Sequence, residues 1–492
     1  MHRRDLLRLL ALGGLAAATG CGGKQRGVSV HSIADLDCID QHDLVITGEL
    51  TAQELVAAAI DRIDVVNKQL NAVVTRDDDR ALSRAQVAEG ALAGVPYLLK
   101  DLNPYRDMRT TFGSALYRDR ITTEQTPYTD RIDGSGLVVI GKTNTPEFGL
   151  LPSTSPKLHG PTRNPWNTDH TPGGSSGGAA AAVASRMVPA AQASDGGGSI
   201  RIPAAQCGLF GLKPSIGRFP DQGHSAQAWP ISVKHALTRS VRDSALILAL
   251  TEQTEGGPLL PVGFVTRERT KPLRIALSLT TASGPAAPEI ADAIRATARV
   301  LTTLGHEIIE TEETPHANAE LAGHLFTLWG AGVFPIVQQI AEQTGGDVLA
   351  TGLLEPATIT LAERYGKLPA SAMDNALAFF RLYQREVAEF FDMYDAWLSP
   401  VTGTTAPEIG HLDPALDFDL LSERVTEFAS FTATHNVAGT PAMSVPAGRS
   451  ESGLPIGAQL STAIDGDAAL LQLAYQLEEA APWRDALPPV HA

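Results

Sequence analysis

Cysteine is scarce in this chain: Cys21, Cys38 and Cys207 are the only three in 492 residues, and none stands in a CxxC or metal-ligand spacing. A disulfide framework is thereby excluded. The thirteen histidines are scattered, and without an HExxH or comparable cluster the sequence offers no metal site. Positive charge is also short, with 39 Lys and Arg against 55 Asp and Glu and a formal net charge of −16. Nucleic acid as a partner would need clustered basic residues to neutralise its phosphates, so the acidic balance argues against that class. No S-x-x-K occurs, which removes a serine–lysine site of the penicillin-binding type. Internal repeats and low-complexity tracts are absent as well. The apolar run 9–18 is too short to cross a bilayer as a permanent helix.

What is present describes an ordinary globular protein, 43% hydrophobic and 19% charged, long enough for one large core or two to three domains. With no second segment set off by its own linker, one compact domain over about 28–490 is expected. The N-terminus reads differently. His2-Arg3-Arg4-Asp5-Leu6-Leu7-Arg8 resembles a twin-arginine export signal, and Ala18-Thr19-Gly20-Cys21 a bacterial lipoprotein cleavage box. The expectation is that residues 1–20 are removed, that Cys21 is lipidated, and that the protein is tethered in the cell envelope. The alternative is a frayed apolar helix on a cytoplasmic protein.

Thr51-Ala52-Gln53-Glu54 is a capping box opening an amphipathic helix to about Val66. Gly94 to Leu99 reads as a buried strand delivering Lys100-Asp101 at its end, and Leu137 to Ile140 as another ending at Gly141-Lys142-Thr143-Asn144. Further on, 274–279 and 306–310 read as strands around a helix at 289–304. The segment 321–391 is mostly helical, 395–400, 436–442 and 453–460 read as late strands, and a last helix falls near 467–478. Strands alternating with helices imply an α/β fold with a largely parallel or mixed sheet, with functional residues at strand ends.

The most informative stretch is 171–201, TPGGSSGGAAAAVASRMVPAAQASDGGGSIR. Ser175 sits within Gly173-Gly174-Ser175-Ser176-Gly177-Gly178, and Ser199 follows Gly196-Gly197-Gly198, with a helix-favouring alanine run between them. Glycines let amide N–H groups approach a ligand closely. A serine after three of them suits a nucleophile beside an oxyanion hole. Flexible Gly/Ser loops or a phosphate cradle are the bland alternatives.

The words GVPYLLKD, IGKTNTPEFG, RNPW, TPGGSSGGAAAAVA, SDGGGSIRIPAA and CGLFGLKPS, in order from Gly94 to Ser215, resemble the amidase signature family of serine hydrolases. The wording is nearest to bacterial amidases that include 6-aminohexanoate cyclic dimer hydrolases. The resemblance implies a large mixed sheet with helices on both faces, a signature core at about 94–220 and a variable substrate cover at about 321–391. It also implies hydrolysis of a small-molecule carboxylic amide through an acyl-serine intermediate, without metal or organic cofactor. By the same resemblance Ser199 is the nucleophile, Ser175 the bridging serine behind a cis Gly174–Ser175 peptide, and Lys100 the base. The N–H groups of Gly196, Gly197, Gly198 and Ser199 would form the oxyanion hole. Ser176, Asp195 and Arg201 would support the loop. Two positions depart from the family wording: Ala193 where glycine is common, and Gly196 where threonine or a branched residue is common.

Lysine acts as a base only when neutral, which burial would secure. A salt bridge from Lys100 to Asp101 is the structural alternative. A nucleophile elbow at Ser175 would need a strand just before it and a partner such as His235, His306 or His435, which no pattern supports. Two other functions stay open: a tRNA-dependent amidotransferase component working with a partner chain, and a lipid-anchored binding protein without turnover.

Overall fold

The computed structural model describes residues 30–220, 230–266 and 271–492. The expected export signal at Arg3-Arg4 and the expected lipidation site Cys21 lie outside those residues. Thirteen strands are found among them: β1 (Val73–Arg76), β2 (Pro96–Lys100), β3 (Val138–Thr143), β4 (Ala190–Asp195), β5 (Phe210–Lys213), β6 (Val233–Thr238), β7 (Arg274–Leu277), β8 (Thr280–Thr281), β9 (Gly284–Pro285), β10 (Glu307–Glu310), β11 (Ala396–Pro400), β12 (Ala442–Arg449) and β13 (Pro455–Ser461). Eleven of these form one sheet in the order β1-β3-β2-β4-β6-β5-β12-β13-β11-β7-β10, and β8 pairs with β9 apart from it. Strand β2 runs parallel to β3 and β4, whereas β4 runs antiparallel to β6. The sheet is therefore mixed and the class α/β.

Period-two alternation explains how the sheet is covered on two sides. Tyr97 and Leu99 of β2 belong to a core with the helices Pro127–Ser135 and Val241–Thr251. Leu98 between them belongs to a separate core with the helices Ala52–Leu70 and Gly177–Ala184. Lys100 shares the phase of Leu98, which sends its side chain toward the second of these layers.

That layer is built for close approach. Every residue of Gly177–Ala184 is buried. A Cβ on Gly178 would lie 2.4 Å from Asn144 N and 2.7 Å from Ala72 O, so only glycine lets the helix start this near the end of β3. The residues before this helix, with the cradle they form, are thereby held against the ends of β2 and β4.

Local signals were mostly faithful. Thr51 and Glu54 form the reciprocal capping box, and the helix continues to Leu70, where Asn71 closes it in the left-handed region. One expectation is corrected: 436–441 is not strand. Ala433–Ala438 is a helix ended by Gly439 at φ 79°, and β12 starts only at Ala442. The reason lies in Asn436, whose Nδ2 donates to Asp195 Oδ1 at 2.9 Å and to Ile231 O at 3.0 Å, tying this turn to the loop after β4. The segment 321–391 is chiefly the helices Leu321–Thr344 and Ala370–Met393.

Candidate active site

Three elements converge on one cavity of about 250 Å³, lined by Ser175, Ser194, Gly196, Gly197 and Ser199 together with Leu150, Leu151, Ile202, Trp329 and Val425. Lys100 is fully buried at the end of β2, with its Nζ 2.7 Å from Ser175 Oγ. Nζ also donates to Ser194 Oγ at 3.1 Å. An uncharged amine has one lone pair and two N–H bonds, so it can accept from Ser175 while donating to Ser194. Burial pushes Lys100 down to about 7, against the opposing pull of the Asp195 charge.

Asp101 is not its ion-pair partner. That carboxylate accepts from Thr111 N at 3.1 Å, and the cations acting on it are Lys142 and Arg109. Lys142 in turn donates to Asn103 O and to Thr110 Oγ1. The strand-end position, not the neighbouring acid, decides the state of Lys100.

Ser175 follows a cis Gly174–Ser175 peptide bond. Gly174 cannot carry a side chain here, since a Cβ would meet Ser153 O at 2.6 Å. No strand precedes Ser175, because 171–176 is irregular, so the nucleophile-elbow geometry is absent there. Nor do the three histidines assist: His235 bonds Ser244, His306 bonds Gln476 and His435 bonds Thr440.

Ser199 lies in the turn between β4 and the helix Arg201–Cys207. It faces the same cavity as Ser175, and among the described residues no hydrogen bond joins their hydroxyls. Such contacts commonly tighten only when substrate is bound. Ser176 supports the arrangement from behind: its Oγ donates to Ser194 O at 3.2 Å.

The loop 196–199 is held by a buried ion pair. Arg201 Nε donates to Asp195 Oδ2 and Nη2 to Oδ1, both at 2.9 Å, and both side chains are fully buried. Arg201 also donates to Thr432 O, Gln459 Oε1 and Asn436 Oδ1, so its donors are well used. Burial alone would raise the Asp195 pKa. The Arg201 charge and hydrogen bonds, the Lys213 charge and the Asn436 amide outweigh it and hold the carboxyl well below its ordinary range.

Asp195 imposes one correction on the expected oxyanion hole. Gly198 N donates to Asp195 Oδ1 at 2.7 Å and Ile200 N to Oδ2 at 3.2 Å. Gly198 is thereby turned inward and is not a donor to the cavity. Its glycine is needed for another reason: φ is +133°, and a Cβ would meet Thr432 Oγ1 at 2.3 Å. The N–H groups of Gly196, Gly197 and Ser199 have no partner among the described residues.

Ser194 escaped sequence reasoning. It is out of phase with Ala191 and Ala193, the β4 residues whose core contains Leu98, so alternation gives no reason to pair it with Lys100. The contact arises because the long lysine stem carries Nζ well away from its own backbone position. Trp329 was equally unmarked, lying in the stretch where the motifs say least.

The Amidase family model matches residues 54–471. The 6-aminohexanoate-cyclic-dimer hydrolase of Paenarthrobacter ureafaciens is 32% identical over 469 residues, covering 91% of this chain and 95% of that protein. A solved structure of 6-aminohexanoate cyclic dimer hydrolase complexed with substrate superposes with a TM-score of 0.86 at 30% identity, over 93% of this chain and all (100%) of that one. A glutamyl-tRNA(Gln) amidotransferase chain from Thermotoga maritima is similar at 25% identity with a TM-score of 0.71, over 96% of this chain and 100% of that one. A match of this extent, with relatives of this identity and coverage, establishes that the chain belongs to the amidase signature family.

Proposed function

We propose that this enzyme hydrolyses a carboxylic amide to the acid and ammonia or an amine, through an acyl intermediate on Ser199. The observation that carries the reading is the 2.7 Å contact of buried Lys100 Nζ with Ser175 Oγ, beside the cavity that Ser199 also lines. A serine hydroxyl is a weak nucleophile until a neighbour accepts its proton. Ser175 takes that proton and passes its own to neutral Lys100 as Ser199 Oγ bonds to the carbonyl carbon. The N–H groups of Gly196, Gly197 and Ser199 face the developing oxyanion. Each such donor is typically worth about 10²–10³ in rate. The relay then runs backward: Lys100 returns the proton through Ser175 to the leaving nitrogen, and the C–N bond breaks. Water repeats the attack on the acyl-enzyme and frees the acid.

A fluorophosphonate probe, which phosphonylates activated serines, is expected to label Ser199 and to leave a Ser199→Ala variant unlabelled. Mass spectrometry of the labelled peptide decides this, and a label on Ser175 would redirect the mechanism. The amidotransferase reading is not favoured, since the hydrolase structure is more similar in both fold and identity.

Export belongs to the same proposal, on the strength of Arg3-Arg4 and Cys21. Protein recovered from membranes of the producing bacterium is expected to begin at a lipid-modified Cys21. Recovery with Met1 intact would dismiss it.

A further inference from the structure

Three cavities meet at one indole. The cavity holding Ser175 and Ser199 shares Trp329 and Val425 both with a branch of about 110 Å³ and with a smaller one of about 30 Å³. Trp329 comes from the helix Leu321–Thr344 and is only partly buried, packing edge-on against Phe326 with ring centroids 5.9 Å apart. Its ring lies against the oxyanion loop so closely that a Cβ on Gly197 would be 3.2 Å from Cζ2. The other described tryptophans are tied down: Trp166 donates to Cys207 O, Trp397 to Ser278 Oγ and Trp483 to Arg239 O. Trp329 has no hydrogen-bond acceptor among the described residues.

The proposed chemistry gives the two sides of the amide a direction, so this inference rests on the amide-hydrolysis reading. The leaving nitrogen must reach Ser175 Oγ to receive its proton. Gly149 stands there, where a Cβ would be 3.2 Å from that oxygen, and Leu150 and Leu151 follow it along the wall. The amine side therefore lies against 149–151. With the carbonyl oxygen at Gly196 and Gly197, the acyl side is left to point past Gly197 and Trp329 into the 110 Å³ branch. That branch is walled by Leu321, Leu325, Phe326, Val425 and Ala429 and carries the neutral polar groups of Thr281, Ser283, His316, Asn318, Thr426 and Ser430, and its described lining contains no Asp, Glu, Lys or Arg. The cavity around Ser199 likewise has no charged side chain in its described lining. A charged acyl group entering either space would lose its hydration without gaining a counter-ion.

We propose that Trp329 is the specificity-determining residue of this enzyme: it walls the passage from Ser199 to an acyl branch without charged side chains, so that amides of uncharged acids are taken and the indole sets the longest chain accepted.

The test is a series of anilides of straight-chain acids, from acetyl to decanoyl, with a carboxylate-ended acyl anilide of intermediate length. For the wild type, kcat/KM should climb with chain length and then fall. The carboxylate-ended substrate should be slower by at least about 100-fold than its uncharged counterpart, since no cation in the described lining repays its desolvation. In Trp329→Ala the decanoyl-to-butanoyl ratio of kcat/KM should rise by about 10-fold or more, the scale on which a pocket discriminates methylene groups. Trp329→Leu should move the ratio the same way with less lost packing, and Trp329→Phe should keep it within about 3-fold of wild type. A uniform fall across the series in both the Ala and Leu variants, or equal turnover of the charged substrate, would overturn the assignment. A wild type that leaves both Ser199 unlabelled by fluorophosphonate and every anilide intact would instead remove the amide-hydrolysis reading beneath it.

Discussion

Lys100→Met is expected to lower kcat on any amide substrate by about 10²- to 10⁴-fold, the range a positioned acid–base group supplies, while the chain still folds. Methionine is chosen because it nearly fills the space of the lysine stem and puts an apolar group where an amine is already desolvated. The pH profile adds a second reading. Lys100 works as an acceptor only without its proton, and burial sets its pKa at about 7 instead of the ordinary 10.5. The competent, neutral fraction therefore grows as pH rises through about 7, and kcat/KM should climb to a plateau on the alkaline side. The residual activity of Lys100→Met should lack that rise. An acid-favouring wild-type profile, or a variant that keeps both rate and slope, would show that some other group takes the proton. Ser194 refines the expectation: by accepting from Nζ it fixes where the lone pair lies, so Lys100 is aimed as well as desolvated.

Much of this is legible in the sequence, for reasons that differ by residue. The run Gly94 to Leu99 reads as a buried strand ending at Lys100, so a lysine that could be desolvated at a strand end was legible in the pattern, while its role as base came from the resemblance. Ser175 and Ser199 were marked by their glycines, whose freedom is needed for the cradle. The pairing of Asp195 with Arg201 was legible as loop support, but its cost to the oxyanion hole was not. An aspartate three residues before Gly198 can accept that residue's N–H, as at a helix N-cap, and does so at 2.7 Å. The helix Ala433–Ala438 reads as strand in the sequence because Asn436-Val437-Ala438-Gly439 carries no helical period. Its conformation is settled by Asn436 reaching a carboxylate 241 positions away, which no local signal encodes. Trp329 was legible only as one aromatic in a helical substrate cover, and only the fold shows that it meets Gly197.

The largest expected effect on stability is at Arg201. Arg201→Ala should cost about 3–5 kcal/mol, because it leaves the Asp195 carboxylate fully buried and without the counter-ion that hydrogen-bonds it. The remaining hydrogen-bond partners of that carboxylate are Gly198 N, Ile200 N and Asn436 Nδ2, which are dipoles, and the Lys213 charge acts on it without a hydrogen bond. The loss should also reach the chemistry. The ion pair sits at the two ends of the turn that holds Ser199, and Asn436 joins it to the helix Ala433–Ala438. Fluorophosphonate labelling of Ser199 should slow along with the fall in stability. Adding Asp195→Asn to Arg201→Ala should recover part of the stability, since it removes the orphaned charge and keeps an acceptor for the loop amides. Denaturant unfolding of the two variants measures both numbers. A cost below about 1 kcal/mol for Arg201→Ala would mean that the pair is no stronger than an exposed one, and that the loop is held in place by something other than this clamp.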